Sequence, residues 1–212
     1  MMKNKKQMFW ASAVILLPLV IGVLLWDKLP DQIATHWGFN GKADGWSSKG
    51  STVFGLPFFL LATHWFCMFF TGKDAKNKDQ SNKVFHMILW LVPVLSLVVF
   101  GVIYGKALGL EVQIENMTFL FLGVLFIAVG NYLPKCKQNR TIGIKVKWAL
   151  KNEENWNATH RLAGKMWVIG GIAFLLCVFL PPALAAITEL CGILVLTVVP
   201  VLYSYLYYKK HQ

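Results

Sequence analysis

The chain has 212 residues, of which 56% are hydrophobic and only 15% charged, and its formal net charge is +11. Soluble domains carry about a quarter charged residues, so an ordinary soluble fold is excluded. Nucleic-acid binding is set aside despite the basic balance, because uncharged runs of membrane-spanning length dominate the chain.

The first uncharged run, 8–26, follows Lys3, Lys5 and Lys6. It is longer than a signal-peptide core and no small-residue cleavage site follows it, so it reads as a retained helix. Leu25-Trp26-Asp27-Lys28 marks its exit, with tryptophan at the interface. Further runs cover 52–71, 84–105, 116–134, 166–188 and 190–208. At about 1.5 Å per residue, each can cross a hydrocarbon core about 30 Å thick. Pro181-Pro182 interrupts the fifth run, which predicts helices over 166–182 and 190–208 with a tight turn between them. The expected fold class is therefore all-α, a polytopic membrane bundle of six helices. A barrel is excluded, since the runs lack period-two alternation. Residues 1–105 form an N-terminal region with helices 8–26, 52–71 and 84–105, and residues 116–208 a second one with helices 116–134, 166–182 and 190–208.

Six spans put the termini and the second and fourth connections on one side. Those segments hold 17 of the 21 Lys and Arg residues. Positive charge collects on the cytoplasmic side, so both termini are expected inside a bacterial cell membrane.

The first connection, 27–51, then faces outward. Pro30 suits the first turn of a short helix, with Asp31 at its positive end. Asn40-Gly41 and Asp44-Gly45 are turn dipeptides, so the segment folds back on itself. Trp26, Trp37, Phe39 and Trp46 can lie in the headgroup layer. Two readings stand: a compact interfacial cap, or a binding surface that uses Pro30, His36, Trp37, Gly41, Asp44, Gly45, Trp46 and Lys49.

The fourth connection, 135–165, is strongly basic. A helix is predicted over 153–163, with Asn152 as N-cap and Glu153 and Glu154 in its first turn. Trp156, His160 and Ala163 share one face, expected to be exposed beside Lys145 and Arg161 as a docking surface. Attraction to anionic lipid, worth about 1 kcal/mol per basic residue, is the plainer use of the lysines.

Ionisable groups in the spans are sparse: His64, His86 near one end, and Glu189, expected at the outer interface. Gly101-x-x-x-Gly105 is a weak packing signal. Cys67, Cys136, Cys177 and Cys191 have no metal-ligand spacing and read as small core residues plus one reduced thiol at Cys136. No nucleophile elbow, zinc motif, phosphate loop or carboxylate pair occurs, so no catalytic residue, metal or cofactor is expected.

The outward "LPDQIATHW…G…DGWSSK" resembles the N-terminal domain of unknown function that often precedes an SdpI domain. The stretch 130–165 resembles the signature of the SdpI immunity-protein family. Gly130, Asn131, Pro134, Asn139, Gly143, Trp148, Trp156, Thr159, His160, Arg161 and Gly164 stand in that family's order and spacing. One departure is clear: where the family commonly reads G-I-R-T-P-W, this chain reads Gly143-Ile144-Lys145-Val146-Lys147-Trp148. The guanidinium fork and the threonine hydroxyl are lost there.

The resemblance implies immunity against a secreted, membrane-disrupting peptide toxin, of which that of the sporulation-delaying system is the best known. It also implies a receptor role, in which toxin leads to capture of a winged-helix repressor at the cytoplasmic face. The implied partners are thus a peptide toxin outside and a repressor inside, with no direct nucleic-acid contact. A transporter or channel, and a lipid- or wall-modifying enzyme, are the rival classes.

Overall fold

The computed structural model describes residues 5–38, 41–74 and 80–211. Among these, six helices are long and apolar enough to cross a membrane: Lys5–Leu24, Ser51–Lys73, Asn82–Ala107, Ile114–Lys135, Glu153–Phe179 and Pro182–Lys210. In chain order the elements are α1 (Lys5–Leu24), β1 (Gln32–Trp37), β2 (Ala43–Ser48), α2 (Leu56–Lys73), α3 (Asn82–Ala107), α4 (Ile114–Tyr132), α5 (Lys147–Lys151), α6 (Glu153–Leu176) and α7 (Pro182–Lys210). A π-helical turn, Ser51–Gly55, leads into α2. The chain divides into two compact units: Met1–Phe69 with His86–Met117, and Phe70–Phe85 with Thr118–Gln212.

The helical membrane architecture follows from the runs, but four local expectations are corrected. The helix foreseen at Pro30 is instead an antiparallel hairpin of β1 and β2. Asp44-Gly45 is not a turn, since both residues lie inside β2. Gly38 and Gly41 make the turn: Gly38 N–H donates to Lys42 O (3.0 Å), and Gly41 has a φ of 66° that favours glycine. Asn40 and Phe39 lie outside the described residues. Further on, α6 does not stop at Ala163 but runs to Leu176, so loop helix and span are one rod. Asn152 caps it as expected, accepting from Asn155 N–H at 2.9 Å. Finally, α7 starts at Pro182, not at residue 190, so Glu189 lies within the helix, two turns from its start. Proline is suited to a helix's first position, because the N–H it lacks has no partner there.

In the first unit, apolar packing joins the hairpin to the spans. Ile33 of β1 is fully buried with Leu29, Val53, Phe100, Ile103 and Tyr104, and Trp37 packs against that cluster. Two buried hydroxyls within the spans bond to backbone carbonyls, as a water-free interior favours: Ser96 Oγ–H donates to Ile15 O (3.2 Å) and Tyr104 O–H to Pro18 O (3.0 Å).

In the second unit, α4 and α6 run antiparallel over two glycine contacts. A Cβ on Gly164 would stand 2.8 Å from the Gly130 carbonyl oxygen, and one on Gly171 would stand 2.6 Å from that of Gly123. Only glycine lets the two backbones approach this closely. Phe119, Phe174, Cys177, Ala185 and Leu196 fill the adjoining core.

Candidate functional site

Two polar assemblies are built on this frame, one in each unit. The first is the hairpin. Its register pairs Gln32 with Ser48, Ala34 with Trp46 and His36 with Gly45, with an irregularity on either side of His36. The bulged register brings His36 Nδ1 within 2.5 Å of Asp44 Oδ1, and both side chains are largely exposed. Gly45 is needed opposite His36, because a Cβ there would lie 3.0 Å from the histidine Cβ. Lys49 closes the base: its Nζ donates to Asp31 Oδ1 (3.3 Å) and Trp26 O (3.2 Å) and sits 5.2 Å from the Trp26 ring centre. Ser48 then accepts from Ser51 N–H (3.2 Å), starting the turn into α2. Of the outward candidates, Pro30, His36, Asp44 and Trp46 are exposed, whereas Trp37 is half-buried against the core.

The second assembly is the 135–165 segment, held by a lock of buried polar groups. Asn139 spends both ends of its amide on its own loop. Its Oδ1 accepts from Thr141 N–H (2.8 Å) and Ile142 N–H (2.6 Å), and its Nδ2 donates to Lys137 O (2.8 Å) and Ile142 O (3.0 Å). That closes a compact turn, in the usual role of asparagine. The chain then passes Gly143, whose φ of 102° is a glycine conformation, and whose bare Cα lets the backbone lie against the His160 ring.

His160 holds the loop down. Ile144 N–H donates to its Nε2 (3.0 Å), while Nδ1 faces the Trp156 carbonyl at 2.8 Å. A carbonyl only accepts, so Nδ1 carries the proton and the ring is neutral. Trp156 stacks on the imidazole with centroids 4.0 Å apart, and its Nε1–H donates to Cys136 O (2.8 Å). Next to Trp156, Asn155 Nδ2 donates to Ser204 O (2.9 Å), while its Oδ1 accepts from Ser204 Oγ (2.6 Å) and Thr159 Oγ1 (3.0 Å). These bonds tie α6 to α7. The second connection joins the same assembly: Gln80 exchanges two bonds with the Lys137 backbone (2.7 and 3.0 Å), and Asp74 accepts from Arg140 N–H (2.7 Å).

The expected docking face is therefore corrected. Trp156 and His160 are buried, at 0% and 1% exposure, because each must satisfy a backbone group that water cannot reach. Cys136 is buried beside them, and burial pushes its thiol up to about 11. What stays exposed is Lys145, Arg161, Asn131 and Pro134. Arg161 lines a cavity of about 500 Å³ with Pro134, Glu154, Asn157 and Tyr207. Trp148 is half-buried and packs edge-on against Tyr205 at 5.3 Å. Gly164 is spent on the contact with α4.

Sequence reading missed Asn155 and Ser204. Asn155 sits one residue before Trp156 on the face that turns out to be buried, so three-to-four spacing with Thr159 could have revealed it. Ser204 carries no such signal in a run of aromatic and aliphatic residues.

Residues 135–208 match the SdpI/YfhL protein family, and residues 13–61 match a domain of unknown function (DUF1648). The chain is 29% identical over 198 residues to the immunity protein SdpI of Bacillus subtilis (strain 168), and the alignment covers 93% of each chain. No solved structure matches it. The region matched by the SdpI/YfhL family model takes in the whole 139–160 lock and reaches Ser204 on α7.

Proposed function

We propose that this protein is a membrane immunity protein that protects the cell carrying it from a secreted, membrane-disrupting peptide toxin. The observation that carries this reading is the end-to-end similarity to an immunity protein, 93% of each chain, which spans both polar assemblies. The charge asymmetry supports an orientation with the hairpin outside and the 135–165 lock inside. On that side the hairpin offers an exposed Trp46 beside the His36–Asp44 pair, an amphipathic surface suited to a membrane-active peptide.

The protection is non-catalytic in this reading. His160, the best placed base in the family motif, has both ring nitrogens bonded to backbone groups and none left for a substrate. A receptor role for the inner face is supported by Lys145 and Arg161, exposed around a rigid lock and suited to pair with an acidic partner surface.

The test is survival of a toxin-sensitive bacterium that lacks its own immunity protein and expresses this chain. Challenged with the sporulation-delaying peptide, it should tolerate at least a tenfold higher dose than the empty-vector strain. In the same strain, Arg161→Glu with Lys145→Glu should keep that protection while a fluorescent repressor no longer moves to the membrane. Unchanged tolerance at normal membrane levels of the protein would reject the immunity reading. Loss of protection together with recruitment would reject the division of labour between the two faces.

A further inference from the structure

The second unit holds a second cavity, of about 350 Å³, lined by Asn139, Arg140, Lys147, Leu150 and Lys151. Among the described residues that line it, three are cationic and none is acidic. Lys147 and Lys151 are one helical turn apart on α5, where like charges repel, and Arg140 approaches from the Asn139 turn. The Asp74 carboxylate accepts from the Arg140 backbone N–H and the Thr141 hydroxyl. Among the described residues, three cations and no carboxylate line this concave space, an arrangement that favours an anion.

The walls are fixed rather than loose. Asn139 is fully buried and fully bonded, and Gln138 Nε2 donates to Ala149 O (2.8 Å), clamping the turn to α5. The volume falls within the range of about 300–1,000 Å³ usual for small-molecule sites. Depth identifies the occupant. Trp148 of α5 packs on Tyr205, five residues before α7 ends at Lys210 and among Tyr203, Tyr207 and Tyr208. Such aromatic clusters lie at the headgroup level, so a cavity on α5 opens where lipid phosphates are.

We infer that Arg140, Lys147 and Lys151 form a specific site for the headgroup of an anionic phospholipid. The phosphate pairs with the arginine fork and the two ammonium groups, and Leu150 lies against the apolar side of the lipid. This site is independent of the immunity reading and stands or falls separately from it.

The test is native mass spectrometry of the full-length protein released from detergent, titrated with phosphatidylglycerol or with phosphatidylcholine. The wild type should retain one phosphatidylglycerol at least tenfold more tightly than phosphatidylcholine. Arg140→Gln with Lys147→Gln and Lys151→Gln should lose that preference. A control of equal charge change, Lys5→Gln with Lys6→Gln and Lys165→Gln, should keep it within twofold. All the substituted side chains are exposed, and equal elution volumes on gel filtration check that both variants are folded. Equal loss in the two triple variants would mean diffuse attraction and overturn the inference, as would no loss in either. Displacement of the lipid by millimolar inorganic phosphate would make the occupant a free oxyanion, which also overturns it.

Discussion

A neutral imidazole can serve chemistry or architecture, and the partners of His160 decide for architecture. Its two nitrogens join α6 to the loop backbone at Ile144, and Gly143 makes room for that contact. Removing the ring leaves the Ile144 N–H without its acceptor, at a cost of about 1–3 kcal/mol. Gly143→Ala forces a methyl against the ring at a φ of 102°, and strain of that kind costs about 1–3 kcal/mol. Both His160→Ala and Gly143→Ala should therefore lower the thermal midpoint of the purified protein, by about 2–4 °C per kcal/mol at this size. Scanning calorimetry in detergent checks this. An unchanged midpoint for His160→Ala would show that the ring is not a structural clamp.

At the scale of elements, the spans were legible and the polar segments were not, for physical reasons. A lipid-crossing helix announces itself by an uncharged run, so all six spans were found. Their ends blur wherever the run is cut at a single charge: Glu189 hid the first two turns of α7. The hairpin was missed because QIATHW and ADGWSS alternate poorly, with bulges in both strands and Ile33 alone fully buried. In the loop the spacing of Asn139, Gly143, Trp156 and His160 was visible, but its direction was misread, since polar aromatic residues suggest a surface until their backbone partners are seen. The glycines were misjudged as well. Gly101, in the suspected packing motif, has open space beside it, whereas Gly123 and Gly171 meet across α4 and α6. Gly171→Ile should therefore cut membrane levels of the protein several-fold, while Gly101→Ile should leave them nearly unchanged. Immunoblots of membrane fractions distinguish the two, and equal losses would contradict the glycine contact.

For the molecule as a whole, orientation rests on charge alone, with 17 of 21 basic residues on the side of the termini. Cys136 cannot report it, because its buried thiol stays protonated at neutral pH and only the thiolate reacts. Exposed positions can. With an impermeant maleimide, Gln32→Cys on the hairpin should label in intact cells, and Lys145→Cys only in inside-out vesicles. The reverse pattern would invert the molecule and place the lock outside.

Immunity by binding rather than by chemistry is the central claim, and the fate of the toxin tests it most directly. Purified protein in lipid nanodiscs is titrated with fluorescent sporulation-delaying peptide, and peptide and lipids are then weighed by mass spectrometry. Binding should saturate at a fixed small stoichiometry, with every mass unchanged after prolonged incubation. A cleaved or modified peptide, a new lipid species, or uptake no greater than in protein-free bilayers would contradict it.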